Sequence, residues 1–459
     1  MMVFLAAGFC VLEVEPFAGQ QADNSIDSIL SAGTRPDAPG LAALVKDRGR
    51  ILFEKGYGMR ELSRDARIDP QTNFRLASLT KQFTATAIML LVHDGKLQYD
   101  DHLTDIFPEF PAYGRAITIR QLLTHTSGLP NYEALMEQEE KAKGPIWSAE
   151  HQIQDPEVLA LLEKQTAGKF APGTSWDYSN SGYVVLGLII AKVAGMPYRE
   201  FLYQKIFSSV GMNHTVVYQK GINEVTRRAL GYTKEKDAFV ETDQSATSAT
   251  LGDGGVYSNV ADLGKWDEAL QKHTLLGEKE MLSALTPVTL ADGSEPHWPK
   301  HGDSDNLAPG QPVSYGFGWF LDPYEGHARM WHSGTTVGFR TVIERFPAEN
   351  LTIIILSNRT DLAPAALAEK IAKQLLPEAR RSSDAPRFAG ASAESRQLAE
   401  ALHFGSCGHG AVLFHHLPHL QVLLDNLVHI LHGGAAALRD ALATLAVDHV
   451  MVAPLLVGH

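Results

Sequence analysis

The chain has 459 residues, 44% of them hydrophobic, enough to bury a large core and to form two or three structural units. Its 40 Lys and Arg against 53 Asp and Glu give a formal net charge of −13 without a basic run, which argues against nucleic acid or an anionic membrane surface as a partner. The two cysteines, Cys10 and Cys407, stand near opposite ends and indicate neither a disulfide framework nor thiolate chemistry.

The run Met2 to Leu12 resembles the core of a signal peptide, but no Lys or Arg precedes it and Glu13 and Glu15 follow. Export to a periplasm or medium and an ordinary apolar N-terminus, with a cytoplasmic protein, both stay open. No segment approaches the roughly 20 apolar residues that span a bilayer as a helix, so stable membrane insertion is not expected. Gly40 to Lys46 and Arg50 to Tyr57 read as two strands around an Asp47-Arg48-Gly49 turn.

Ser78-Leu79-Thr80-Lys81 follows, at the predicted start of a helix running to His93. Positions i and i+3 are neighbours on a helix, so the Lys81 amine can reach the Ser78 hydroxyl. The apolar run Phe83, Ala85, Ala87, Ile88, Leu90, Leu91 would bury this helix, and desolvation disfavours an ammonium, which makes the lysine a usable base. A serine at a helix start also lies near the positive end of the dipole. Such a pair is common on solvated helices, so its meaning depends on the clusters further on.

Helical periods appear at Glu157 to Gln165, Tyr183 to Ala194 and Asp262 to Gln271. Ahead of the second lies Tyr178-Ser179-Asn180, with Pro172 to Trp176 before it. Strand signals return at Tyr315 to Leu321, Ala328 to His332, Phe339 to Phe346 and Leu351 to Ser357, and Leu362 to Leu376 reads as a closing helix. Trp331-His332-Ser333-Gly334-Thr335 is the third polar cluster. Early and late strands with a helical middle imply one antiparallel sheet made from both chain ends, with a helical part inserted at about 94–300. Beyond 377 the composition shifts to Ala, Leu and His, as in His415-His416-Leu417-Pro418-His419; without Asp, Glu or Cys at ligand spacing, a metal site is not expected there.

Together these clusters resemble the serine β-lactamase and penicillin-binding-protein superfamily, in its class C-like branch with D,D-peptidases, D-aminopeptidases and β-lactamase-like carboxylesterases. Ser78-x-x-Lys81, Tyr178-x-Asn180 and His332-Ser333-Gly334 match its three motifs, and Leu122 to Leu129, Gly254 to Ser258 and Leu356 to Arg359 match flanking stretches. The resemblance covers residues 25–377, leaving 1–24 as a possible signal-like segment and 378–459 as an atypical tail.

The resemblance implies an α/β (α+β) β-lactamase-like fold, an antiparallel sheet flanked by helices plus the inserted helical domain, with the active site in the cleft between them. It implies acyl transfer through an ester on Ser78, with Lys81 and Tyr178 as proton relay and Asn180 holding Lys81 and the substrate amide. The backbone N–H groups of Ser78 and Thr335 would form the oxyanion hole, and His332, Ser333 and Gly334 would bind and orient substrate. His332 stands where many β-lactamases have lysine. A histidine titrating near neutrality is a less permanent anchor for a carboxylate, so preference for anionic substrates should rise toward pH 6.

His125, in the Thr124-to-Gly128 turn, reads as a structural hydrogen-bonder. No cofactor is implied. The expected substrate is a small ester, amide or β-lactam, with a carboxylesterase on short acyl esters ahead of a D,D-carboxypeptidase, D-aminopeptidase or β-lactamase. A non-catalytic binding or scaffold protein is the remaining alternative. Acyl preference rests with the loops Tyr132 to Gln165 and Pro287 to Val313, and oligomeric state is not legible.

Overall fold

A computed structural model describes residues 16–300 and 307–378, with side chains from residue 22 onward. Contacts divide the chain into residues 1–390 and 391–459, and every described residue lies in the first unit. The Ala-, Leu- and His-rich tail therefore falls outside the described residues. Helix α1 (Pro16–Ser31) precedes strands β1 (Leu41–Asp47) and β2 (Arg50–Tyr57), so the boundary drawn at residue 24 falls inside a helix. Helix α2 (Thr80–His93) comes next, then α3 (Tyr132–Lys143), α4 (Asp155–Glu163) and α5 (Asn180–Ala194). The chain returns through α6 (Val260–Gln271), β3 (Met330–Thr336), β4 (Phe339–Phe346), β5 (Leu351–Ser357) and α7 (Pro364–Leu375).

The sheet has the order β3-β4-β5-β1-β2, every neighbour antiparallel, so the first and last strands in sequence meet at its centre. Leu41 pairs with Ser357 and Asp47 with Leu351 across that junction. The β1–β2 hairpin turns at Arg48 (φ 50°) and Gly49 (φ 76°), two successive positive φ values that match the right-handed twist of the strands.

Side chains alternate between two buried faces, as a sheet covered on both sides requires. Leu41, Ala43, Val45, Val342, Ile353 and Ile355 pack with Ile26 and Leu30 of α1 and with Ala368, Ile371 and Ala372 of α7. The α7 residues recur at helical spacing, one stripe facing the core. On the opposite face Ala42, Leu44, Ile343, Ile354 and Leu356 join the core formed by α2, α5 and α6. Helix α2 is buried from Thr80 to Met89 without interruption, which is why its apolar residues carry no single stripe.

Three expectations are corrected. Helix α6 packs on β1 and β5, so it belongs to the sheet's own layer, and the inserted part ends before it, well short of residue 300. Tyr315 to Leu321 is no regular strand: Tyr315 bridges Phe320, which bridges Trp331, around a turn at Gly318 (φ 77°). That glycine rides directly over α2, where a Cβ would come within 2.8 Å of the Lys81 carbonyl oxygen. The middle of the chain also holds short strands, with Val256–Ser258 pairing both Phe74–Arg75 and Val216–Val217. Among the described residues no single helix is long and apolar enough to cross a membrane.

A buried ionic cluster fastens α6 to the sheet. Asp267 accepts from Lys46 Nζ at 2.7 Å, Arg345 Nε at 2.7 Å and Thr352 Oγ1 at 2.6 Å. Burial works against its charged form, but Arg345 and the hydrogen bonds from Lys46 and Thr352 outweigh that and hold the carboxyl below the usual range. Its contribution is present above the unfolded carboxylate value of about 4 and is lost as pH falls through the lower folded value. Asp267→Ala strands two cations in the core. Chemical denaturation at pH 7 is expected to register a loss of about 3–5 kcal/mol, and a loss under about 1 kcal/mol would show that the sheet holds α6 without this pair.

Candidate active site

Ser78 sits in a short 3-10 turn, Ala77–Leu79, immediately before α2 and not within it. Ala77 has φ 51°, a left-handed backbone costing a non-glycine residue of order 1 kcal/mol, sustained only because its surroundings dictate it. Those surroundings are specific. The Leu76 N–H donates to Val256 O at 2.9 Å, and Thr341 Oγ1 on β4 donates to Leu76 O at 2.8 Å. Gly334 on edge strand β3 lies against the same turn, and a Cβ there would meet Leu76 O at 2.2 Å and Thr341 Oγ1 at 2.3 Å. The glycine of the third motif thus lets β3 approach the serine turn.

Lys81, with no exposed surface, extends its Nζ to three acceptors among the described residues. These are Ser78 Oγ at 3.1 Å, Asn180 Oδ1 at 2.9 Å and the Asp253 carbonyl at 3.0 Å. The amine also lies 4.9 Å from the centre of the Tyr178 ring and 5.5 Å from that of Tyr183. Asn180 opens α5, whose N-cap Ser179 accepts from the Gly182 N–H at 3.0 Å. Because its oxygen faces Lys81, its amide nitrogen points the other way and donates to Glu133 Oε1 at 3.4 Å.

Tyr178, Ser333, Thr335 and His332 line one cleft with Ser78. The cleft thus brings together Ser78, Tyr178 and the third-motif strand, while Lys81 and Asn180 lie behind them. Trp298, Leu307 and Phe320 complete its wall. Phe320 stacks between Trp298, with centroids 5.7 Å apart, and Trp331, 4.8 Å apart. Trp298 and Leu307 belong to the stretch 287–313 that sequence reasoning could not place. Glu133, on the first turn of α3, comes from the other such stretch. Pro130-Asn131 just ahead is its one sequence signal, since Asn131 Oδ1 caps α3 by accepting from the N–H groups of Glu133 and Ala134.

His332 behaves otherwise than expected. It is buried, its Nδ1 lies 2.6 Å from the Ser333 carbonyl and its Nε2 3.3 Å from the Tyr315 hydroxyl. A carbonyl only accepts, so Nδ1 carries the proton and Nε2 is left to accept from Tyr315. Burial first, and the Lys81 charge second, push its pKa down to about 3, so it is uncharged at neutral and mildly acidic pH. The expectation of a histidine titrating near neutrality is corrected.

His125 is buried at φ 62°. Its carbonyl accepts from the Asp177 N–H at 3.0 Å and its Nδ1 from the Ser179 N–H at 3.0 Å, so it grips the residues on both sides of Tyr178. Burial, Lys81 and His332 lower its pKa well below the usual histidine value, and only a neutral ring can keep Nδ1 as an acceptor. Nε2 then bears the proton and has no hydrogen-bond partner among the described residues, in a ring of Trp176, Tyr178, Tyr183 and Tyr315.

Fold and cleft place the chain among the mixed α/β serine hydrolases in which an antiparallel sheet and a helical layer share a site. The Beta-lactamase family model matches residues 26–376, and the chain belongs to that family. Penicillin-binding protein 4* of Bacillus subtilis (strain 168) is 32% identical over 332 residues, covering 69% of this chain and 68% of the relative. The D-amino acid amidase of Ochrobactrum anthropi SV3 superposes with TM-score 0.61 at 22% identity, covering 77% of this chain and 96% of that one. EstCE1, a hydrolase with promiscuous acyltransferase activity, superposes with TM-score 0.62 at 19% identity, covering 77% and 98%. These two structures support the fold.

Two outcomes follow from the histidines. His125→Ala leaves the buried Ser179 N–H without its acceptor, at a cost of about 1–3 kcal/mol in stability. It should lower kcat far more than it raises KM for a short ester, because it loosens Tyr178 and Asn180; equal effects on both would mean that it only packs. For His332, neutrality predicts that the turnover ratio of anionic to neutral esters stays constant between pH 5 and 8. A ratio climbing as pH drops through 6.5 would show a titrating imidazole.

Proposed function

We propose that this protein is a carboxylesterase of β-lactamase fold that hydrolyses short acyl esters through an acyl-enzyme on Ser78, with weak β-lactam turnover as a side activity. The observation that carries the reading is the uncharged His332 at the third motif, beside a serine already bonded to a buried amine. A penicillin, a cephalosporin or a peptide ending in D-alanine presents a carboxylate and gains from a permanent cation at that position. A simple ester needs none. The apolar side chains of Trp298, Leu307 and Phe320 suit an acyl or alkyl group. The same absence counts against a D,D-carboxypeptidase.

In the reaction Ser78 Oγ attacks the ester carbonyl while its proton passes to the Lys81–Tyr178 relay; with Lys81 neutral, the 3.1 Å contact reverses and the hydroxyl donates to Nζ. The backbone N–H groups of Ser78 and Thr335 receive the developing oxyanion. The carbon–oxygen bond to the leaving alcohol breaks as the relay returns the proton to that oxygen, leaving the acyl group esterified to Ser78. A water molecule, deprotonated by the same relay, then releases the acid and regenerates the serine. Bonds from Lys81 to Ser78 and Asn180 argue against an idle scaffold, which would have no need of a buried amine aimed at a cleft serine.

The test is one preparation assayed on a short nitrophenyl ester, a chromogenic cephalosporin and a D-Ala-D-Ala peptide. The ester should exceed the other two in kcat/KM by at least about tenfold, a difference of roughly 1.4 kcal/mol in transition-state stabilisation. Ser78→Ala should abolish ester turnover and phosphonate labelling with little change in melting temperature. Peptide turnover exceeding ester turnover would overturn the substrate reading, and labelling that survives in Ser78→Ala would overturn the nucleophile.

A further inference from the structure

Lys81 places one of its bonds on the carbonyl of Asp253, a residue outside the described lining of the cleft. The segment Leu251-Gly252-Asp253 that carries this carbonyl runs between α2 and α5. A Cβ on Gly252 would come within 2.2 Å of the Tyr183 carbonyl oxygen, so a glycine is what lets the turn lie this close to α5. On the α2 side, Thr84 Oγ1 donates to the Gly252 carbonyl at 2.6 Å. Thr84 has a single hydroxyl proton, so the buried Tyr198 hydroxyl, 2.7 Å away, donates to it. The Gly255 N–H closes the turn on the Leu251 carbonyl at 2.9 Å.

The remaining hold comes from a third helix. Asp155, the first residue of α4, is buried, and its Oδ1 accepts from the Leu251 N–H at 3.0 Å. That bond falls two residues before the carbonyl that Lys81 uses. A carboxyl is a costly acceptor for a backbone N–H in the interior, because taking its charge out of water is unfavourable. Burial first, and the Asp253 charge second, hold Asp155 well above the usual carboxylate value, which favours its uncharged form. Asp155 belongs to none of the three motifs and lies in the stretch 132–165 that sequence reasoning could not place.

We propose that Asp155 is a positioning residue for acyl transfer, fixing through the Leu251 N–H the turn that presents the Asp253 carbonyl to Lys81. The inference rests on the reading of Ser78 as nucleophile and Lys81 as its base, and adds a residue outside the cleft lining. Held in place, the carbonyl stabilises the ammonium form of Lys81 and keeps the amine aimed at Ser78. Released, it does neither. Among the described residues, the other titratable groups facing Lys81 are Tyr178 and Tyr183, with ring centres 4.9 and 5.5 Å away, the neutral His125 and His332, and Glu133 behind Asn180. Those facing Asp155 are Asp253, Tyr132 and Tyr198. A substitution at Asp155 leaves all of these side chains in the protein.

The experiment uses the whole chain and follows covalent labelling of Ser78 by a phosphonate between pH 5 and 10, which needs the nucleophile and its base but no particular ester. The labelling rate should rise along a limb that marks deprotonation of the base. Asp155→Ala should move that limb down by about one pH unit, the shift expected when a hydrogen bond to a charged group is lost. It should also slow labelling at the plateau at least about tenfold, as the amine drifts from Ser78. Asp155→Asn keeps an oxygen for the Leu251 N–H and should label as the wild type does. An equal shift in both variants overturns the inference, because Asp155 would then act by its charge. So does a limb that stays in place in Asp155→Ala while the melting temperature falls, the mark of a purely structural role. Where Asp155→Ala yields no soluble protein, Thr84→Val, which frees the Gly252 carbonyl of the same turn, should give the downward shift, and an unshifted limb there overturns the inference equally. A wild type that labels but turns over no ester would refute the substrate reading alone, and the labelling profile would still decide the role of Asp155. A wild type that does not label at Ser78 would overturn the nucleophile and this inference with it.

Discussion

Everything in the site depends on seating the Lys81 amine in the interior. An ammonium removed from water is costly unless each of its protons finds an acceptor. The three acceptors come from three separate stretches of chain: Ser78 before α2, Asn180 at the start of α5 and the Asp253 carbonyl in the turn before the short strand Val256–Ser258. Satisfying one side chain therefore fixes the sheet-side turn, the helical layer and the connecting segment relative to one another. Removing an acceptor would cost both the contact and the burial of the charge it served.

The sheet supplies the other half of the constraint. Because β1 pairs with β5 at the centre, β3 is left as an edge, and its Gly334 can press against the Leu76 carbonyl and the Cβ of Ala77, the residue with the strained backbone. Thr341 on the neighbouring strand ties the same turn through Leu76. The serine is thus held by β3 and β4 on one side and by Lys81 on the other, which is how a positive φ at an alanine persists. Rigidity of this kind suits an oxyanion hole, whose donors must already point at the place where charge develops.

The parts of this arrangement that follow from short-range chemistry were legible in the sequence. The hairpin at Arg48-Gly49 and the helices α5, α6 and α7 showed in turn residues and apolar periodicity, within a few residues of their observed bounds. The three motifs were visible as residue types at fixed spacings. What was not legible depends on distant packing. Helix α3 is rich in Glu and Lys and buries only Tyr132, Leu135 and Met136, so its apolar period is weak. Tyr315 to Leu321 alternates like a strand, but its Gly318 serves a turn over α2 that no local pattern encodes. The membership of Glu133, Trp298, Leu307 and Phe320 in the site could not be read because loops, not periodic elements, bring most of them there.

His332 shows most sharply how context overrides residue type. A histidine in place of a lysine reads on paper as a weaker cation, one that proton supply could restore. In the fold it is a different kind of group. Burial removes the water that would stabilise a charged ring, and the nearby Lys81 adds a repulsion that keeps it neutral, as it also does for His125. The buried amine that serves the serine thus suppresses positive charge elsewhere in the site, and the two histidines serve as uncharged hydrogen-bonding posts, one gripping the Tyr178 loop and the other bound to Tyr315 and the β3 backbone. Family membership is shared across proteins with different substrates, so the choice among them falls to what each site presents to the acyl group, here an uncharged His332 beside the apolar wall of Trp298, Leu307 and Phe320.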